Sequence, residues 1–236
     1  MIDLIEKLKE TKDLTDEEFI RLLTMPTAVP EALFPNTPEA SSHPSGLLPL
    51  NLEFTDDEES LFSAADEVRR QVYGTAVYVR GLIEFTSFCK NNCYYCGIRR
   101  DDRELKRYRL TKDEILKCTD EGYELGYRTF VLQGGEDPFF TDEKICDIVS
   151  AIHAAHPDCA ITLSIGEKSK ESYQKYFDAG AERYLLRHET ANEEHYRVLH
   201  PAELSLSHRK QCLYDLKEIG YQIGAGFMVG LLKQTP

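Results

Sequence analysis

Phe88-Cys89-Lys90-Asn91-Asn92-Cys93-Tyr94-Tyr95-Cys96-Gly97 decides how this chain is read. Three cysteines in a C-x3-C-x2-C run follow the apolar segment 77–85, so three thiolates converge from one short loop on one centre. A [4Fe–4S] cluster is normally held by four cysteines. Three from one loop leave one iron open to a ligand that is not a cysteine. A structural zinc site also takes four ligands, usually as two closely spaced pairs. No second pair follows, because Cys118, Cys146, Cys159 and Cys212 stand alone. The competing readings are a site closed by one of those four, or a loop of free thiols.

Outward from the loop, short apolar segments alternate with amphipathic ones. The pattern predicts strands over 77–85, 129–133, 160–164, 183–187 and 222–228. Between them it predicts helices over 111–125, 142–155, 170–179 and 205–219, with Gly126, Gly180 and Gly220 as stops. Strand and helix in alternation mean parallel βα units. Polar motifs follow the strands' carboxyl ends: the cysteine loop, Gln133-Gly134-Gly135-Glu136, Ser164-Ile165-Gly166-Glu167 and Arg187-His188-Glu189-Thr190. Active sites of βα barrels are built from that face, whereas a doubly wound sheet gathers its ligands at one switch point. An α/β barrel of the TIM type is expected, with about five βα units present. Ile161, Leu163, Leu185 or Leu186, and Phe227 are expected to point inward, partly covered.

Before the barrel, Thr15 with Glu18 makes a capping box between short helices at 3–10 and 16–24, and Thr55 opens a helix to Tyr73. Six of the ten prolines fall between Met25 and Leu50, the composition of a linker or insertion. The expected division is therefore N-terminal helices at 1–24, a proline-rich linker at 25–54 and an incomplete barrel core at 55–236.

Composition bounds the rest. A net charge of −13 excludes nucleic acid as an expected partner, since phosphate binding needs basic patches. No apolar run has the length of a membrane span, so no membrane association is expected. Seven cysteines, an odd number with three crowded together, fit a reducing cytoplasm better than a disulfide framework.

The strand-end motifs suit a ligand with an ammonium, a carboxylate and a ribose diol. Gly134 and Gly135 let the backbone approach closely, and Glu136 adds the negative charge an ammonium wants. Arg187 offers a planar fork for a carboxylate, or else bridges Glu189. Glu167 can accept from both hydroxyls of a diol, or is simply a carboxylate favoured at a helix N-terminus. Tyr95 is placed for a stacked base, while Tyr94 is as well explained by packing.

These stretches together resemble one family. Ile83-Glu84-Phe85-Thr86-Ser87-Phe88-Cys89, Cys93 to Asp101, Val131 to Pro138, Thr162 to Glu167, Arg183 to Asn192 and Gly224 to Gly230 are similar to the HydE-type maturases of [FeFe] hydrogenase, within the radical S-adenosylmethionine (SAM) enzymes. The resemblance covers residues from about 55 to 231. It implies a radical SAM (βα) barrel in which Cys89, Cys93 and Cys96 hold a [4Fe–4S] cluster and SAM chelates the open iron. It also implies a SAM pocket of Tyr95, Gln133, Gly134, Gly135, Glu136, Ser164, Glu167, Arg187 and the backbone at Met228, with Thr162 facing substrate. Reductive cleavage of SAM would give a 5′-deoxyadenosyl radical that acts on a small organometallic iron–cysteine species during H-cluster assembly. An electron donor and other hydrogenase maturation proteins are the implied partners.

Two departures are visible. The proline-rich stretch is longer than the resemblance implies. Similar proteins also run on past residue 236 for roughly another hundred residues, the length of three more βα units, and Gly230-Leu231-Leu232-Lys233-Gln234-Thr235 stands where they carry Gly-Leu-Pro-Gly-Gln-Thr. A fragment or a frame error near the end is expected. The alternatives are another biotin synthase-like radical SAM enzyme, inserting sulfur or rearranging a methylornithine-type skeleton, and a non-catalytic iron–sulfur or zinc module.

Overall fold

The computed structural model describes residues 1–26, 54–231 and 234. The proline-rich linker lies, apart from its first two and its last residues, outside the described residues. Two compact units are present, Met1–Val77 and Tyr78–Leu231. The first holds α1 (Ile2–Thr11), α2 (Asp16–Leu23) and α3 (Asp56–Tyr73). The expected capping box forms, Thr15 with Glu18 on α2, and Thr55, expected to open α3, does so in a second box with Glu58. Ile5, Leu14 and Leu22 make a small core with Leu61 and Ala64 of α3.

The second unit runs β1 (Gly81–Thr86), α4 (Lys112–Glu124), β2 (Thr129–Gly134), α5 (Asp142–Ala155), β3 (Ala160–Ser164), α6 (Lys170–Asp178), β4 (Arg183–Leu185), α7 (Glu193–Leu199), α8 (Leu206–Ile219) and β5 (Gln222–Gly224). All strand pairs are parallel and the sheet order is β1-β2-β3-β4-β5. Each connection steps one place in the same direction. That is the winding of a barrel wall, and it lacks the reversal that defines a doubly wound sheet.

Three strands are shorter than the sequence pattern predicts. β1 begins at Gly81, where its register with β2 starts opposite Phe130, and Val77, Tyr78 and Val79 lie exposed before it. β4 and β5 stop at Leu185 and Gly224, and further on Glu189 takes a left-handed φ of 66°. Looser pairing continues past them: Leu186 N–H donates to the Gly224 carbonyl at 2.8 Å, and Met228 N–H to that of Glu189 at 3.0 Å.

The inward side chains also differ from expectation. Ile161 and Leu163 are fully buried on the helix-covered face, in one core with Ile83, Phe85, Phe130, Leu132, Tyr184 and Leu186. Because side chains alternate along a strand, the inner face receives Leu82, Glu84, Val131, Gln133, Thr162, Ser164, Arg183 and Leu185. It is mixed polar and apolar, with Leu185 inward as expected and Thr162 and Ser164 where Ile161 and Leu163 were expected. Phe227 does stand open, 62% exposed.

α7 is absent from the sequence reading. Asn192 caps it, accepting from His195 N–H, and Glu193 and Glu194 occupy its first turn. Its seven residues are too few for a clear periodic pattern, yet its packing places it against the cysteine loop.

Candidate active site

The cysteine loop leaves the sheet through an irregularity in β1. Glu84 pairs with Gln133, then Thr86 with Gly134, so Phe85 is an extra residue at the strand's end. A bulge of this kind re-aims the chain that follows it. Thr86 Oγ1 thereby donates to Asp137 Oδ2 at 2.8 Å and accepts from Phe88 N–H. Asp137 is gripped in turn by Arg109, whose Nε and Nη2 donate at 2.6 and 2.9 Å. Burial would raise the Asp137 carboxyl, but the hydrogen bonds from Arg109, Phe139 N–H and Thr86 outweigh it and hold it below the usual range. Arg109 also lies 3.8 Å over the ring of Phe88. The carboxylate of the Gly-Gly-Glu-Asp turn thus fixes the entry to the cysteine loop.

Gly135 makes the close approach possible. A Cβ there would fall 2.2 Å from the Phe88 carbonyl oxygen and 2.7 Å from Cys89 Cβ. Lys90 N–H donates to the Glu136 carbonyl at 2.9 Å. The Glu136 carboxylate, 6% exposed, accepts from Glu167 N–H at 3.1 Å and pairs with Lys90 Nζ at 3.2 Å. It can sit there because Gly166 has no side chain: a Cβ would be 2.2 Å from Glu136 Cγ.

Arg107 closes the loop from outside. Its Nη1 donates to the carbonyls of Ser87 and Ile98 at 2.5 and 3.1 Å, and its Nη2 to those of Arg99 and Asp102 at 2.5 and 3.2 Å. One guanidinium satisfies four turn carbonyls, and nothing in the local pattern marks it out.

Cys89, Cys93 and Cys96 line a cleft of about 480 Å³. Burial pushes the Cys93 thiol up to about 11 and raises Cys89 as well, and metal binding displaces thiol protons. Tyr95, Gln133, Gly134, Gly135, Glu136, Ser164 and Arg187 share the cleft with the thiols. Glu167, Thr162 and Met228 are not among its lining residues. Glu167 is instead held by Arg209, Nε to Oε1 2.9 Å, with His208 Nε2 3.5 Å from Oε2. Burial raises the Glu167 carboxyl against the pull of Arg209. Arg187 is 57% exposed along its side chain, and its Nε lies 3.5 Å from Glu189 Oε1.

Among the lining residues that escaped the sequence reading, two carry buried charge into the cleft. Arg209 sits on α8, away from any strand end, and is 7% exposed. Glu189 was weighed only as a partner for Arg187, yet it lines the cleft with Oε2 buried and without a hydrogen bond. Burial raises its carboxyl, opposed by Arg187, Arg209 and His188. The left-handed backbone at Glu189 is the kind of strain that gathers at binding sites.

Among the described residues, no three His, Cys, Asp or Glu side chains close on a single-ion position. Thiolates at the corners of a cluster bind different irons and need no such convergence. Three thiols on one cleft, a glycine seat too tight for a Cβ and a buried acceptor without a partner fit a cluster with a polar organic ligand beside it.

A parallel βα sheet with three loop thiols at its carboxyl-end mouth defines a class, and the sequence pattern of the radical SAM superfamily matches residues 83–236. The chain belongs to that superfamily, whose cofactors are a [4Fe–4S] cluster and SAM. It is 50% identical over 177 residues to the [FeFe] hydrogenase maturase subunit HydE of Thermotoga maritima, covering 75% of this chain and 50% of that one. It is 29% identical over 184 residues to 3-methylornithine synthase of Methanosarcina acetivorans, covering 77% of this chain and 52% of the other. The crystal structure of methylornithine synthase (PylB) superposes with a TM-score of 0.79 at 26% identity, over 98% of this chain and 60% of that one. HydG, a maturase of the [FeFe]-hydrogenase, shares the fold at a TM-score of 0.75 and 23% identity, over 98% and 46%. The chain spans about half the length of the curated relatives it matches.

Proposed function

We propose that this chain carries the cluster and SAM half of a HydE-like maturase, acting in assembly of the [FeFe] hydrogenase H-cluster. The observation that carries the reading is the meeting of the three thiols, the Gly-Gly-Glu turn and Arg209 in one cleft, in a chain 50% identical to HydE. When bound, the cluster and SAM supply a 5′-deoxyadenosyl radical by reductive cleavage.

The chain's own residues bind and orient. Cys89, Cys93 and Cys96 hold three irons, and the fourth is left for SAM. The carbonyls of Gly134 and Gly135, with Glu136, take the ammonium. Arg209 and Arg187 offer guanidinium forks for the carboxylate, and of the two Arg209 is in the drier setting, where a charge-assisted bond is stronger. Tyr95 lies beside the base, and Ser164 and Glu189 supply acceptors for the ribose. Glu167 orients Arg209 and leaves the diol to Glu189. Thr162 and the polar side chains beside it on the inner face suit a small organometallic iron–cysteine substrate, and an electron donor and other maturation proteins complete the reaction in the cytoplasm. No helix among the described residues is long and apolar enough to cross a membrane.

The test is anaerobic reconstitution. About four irons and four sulfides per chain are expected. Each of Cys89→Ala, Cys93→Ala and Cys96→Ala should lose them, and changes at Cys118, Cys146, Cys159 and Cys212 should not. The reduced protein should release 5′-deoxyadenosine and methionine, and a full-length form should activate apo-hydrogenase. SAM cleavage without activation would move the chain to a methylornithine-type enzyme; iron without SAM cleavage would leave only an iron–sulfur module.

A further inference from the structure

Tyr95 stands between two of the three loop thiols, and the turn that spaces Cys93 from Cys96 also sets its ring. That turn is fastened from a distant part of the chain. Tyr94 N–H donates to the Leu199 carbonyl at 2.9 Å, and the Tyr95 hydroxyl lies 3.2 Å from His200 Nε2. His200 is 2% exposed, stacks on Tyr196 at 3.8 Å and meets the Tyr95 ring edge-on at 5.3 Å. Its Nδ1 is 3.0 Å from the Tyr196 carbonyl, which only accepts, so Nδ1 carries the hydrogen. Nε2 is therefore the acceptor and the Tyr95 hydroxyl the donor. The C-terminal end of α7 buckles the cysteine loop at two consecutive residues, and α7 itself follows the Arg187–Thr190 segment at the cleft's far side.

We propose that His200 is a positioning residue for the cysteine loop: its Nε2 accepts from Tyr95 and fixes the corner between Cys93 and Cys96, setting how tightly SAM binds and the potential of the cluster. The proposal rests on the cluster assignment made above. Hydrogen bonds and solvent exposure around a cluster tune its potential, and an outer partner that orients a ligand typically matters ten- to a hundredfold.

The experiment uses the reconstituted protein in five forms: parent, His200→Phe, Tyr95→Phe, the double variant and His200→Gln. Three quantities are read: iron content, SAM dissociation constant and cluster midpoint potential. We expect full iron in all five. SAM binding should weaken roughly tenfold in each phenylalanine variant, with a shifted potential, and the double variant should be no worse than either single. Non-additivity of this kind marks two groups acting through one contact. His200→Gln, whose amide oxygen still accepts, should recover most of the loss. Parent-like affinity and potential in both phenylalanine variants, or single effects that simply add, would overturn the proposal. If His200→Phe does not fold, Tyr95→Phe decides alone, because it removes one hydroxyl and keeps the ring. A parent that takes up no iron sinks the cluster reading instead, before His200 is tested at all.

Discussion

Arg209 Nε stands 2.9 Å from Glu167 Oε1, and each side chain is less than a tenth exposed. Neither atom makes a hydrogen bond, so the pair is held by charge and proximity and not by aligned donors. Removing one partner of a buried pair costs about 3–5 kcal/mol because the other is left uncompensated. Arg209→Lys separates the two duties of the guanidinium, since it keeps the charge and gives up the fork. Thermal unfolding should change little, while SAM affinity measured by equilibrium dialysis should fall about tenfold or more. Arg187→Lys, at a side chain 57% exposed, should cost less. The reverse order would return the carboxylate role to Arg187.

Gly135→Ala should damage the loop out of proportion to its size. The added methyl would meet the Phe88 carbonyl oxygen at 2.2 Å, and backbone has no rotamer by which to escape. Overpacking of this kind costs about 1–3 kcal/mol. Gly97→Ala in the same loop is the control, because nothing lies within 4 Å of its Cβ position. Iron bound after reconstitution is the measurement: a clear loss is expected for Gly135→Ala and none for Gly97→Ala.

His200 gives the apo-protein an acid-sensitive point. Burial, opposed by its bond to the Tyr196 carbonyl, holds the imidazole at about 4, below its ordinary 6.5. The groups facing it are Tyr95, Tyr196 and the cation of Arg209. A depressed folded-state value means that the unfolded chain takes up the proton first. The contribution to stability is therefore complete above pH 6.5 and is lost as pH falls toward 4. The His200 contribution alone should cost the apo-protein on the order of 2 kcal/mol across that window, and His200→Phe should remove that part of the slope. Asp137, held below its ordinary value, titrates beneath the window, whereas Glu167 and Glu189, raised by burial, favour the fold as pH falls and oppose His200.

Among the described residues the sheet ends at β1 on one side and β5 on the other. Tyr78, Val79 and Leu82 are exposed at the first, and Phe227 and Val229 beyond the second. An apolar open edge is a template for another chain. Residues 1–236 are expected to self-associate with rising concentration in size-exclusion chromatography, and Val79→Lys with Val229→Lys should reduce it. A monodisperse protein at all concentrations would overturn this.

Legibility followed the range of the interactions. Helix starts such as Thr111 with Glu114 and stops such as Gly220 are local chemistry, and they fell where the pattern put them. The cysteine loop and the Gly-Gly-Glu turn were legible because their residue types are rare in that order. What failed was long-range or short. Nothing near Arg209 announces that α8 aims it into a cleft built by strand ends. The irregular backbone past β4, with Glu189 left-handed, carries no periodic signal. Strand parity was misjudged at Ile161 and Leu163, where polar Thr162 already pointed to the opposite face.

The sheet's order has a consequence for how the molecule is made. Every strand pairs with the one synthesised just before it, so a nascent chain leaving the ribosome always finds its template ready. The seat of the thiol loop on Gly135 and Glu136 is complete once the second βα unit has emerged. Its second fastening, Tyr94 to Leu199 and Tyr95 to His200, waits for about forty-five more residues. Biogenesis thus sets the loop in two stages, a seat first and a latch later.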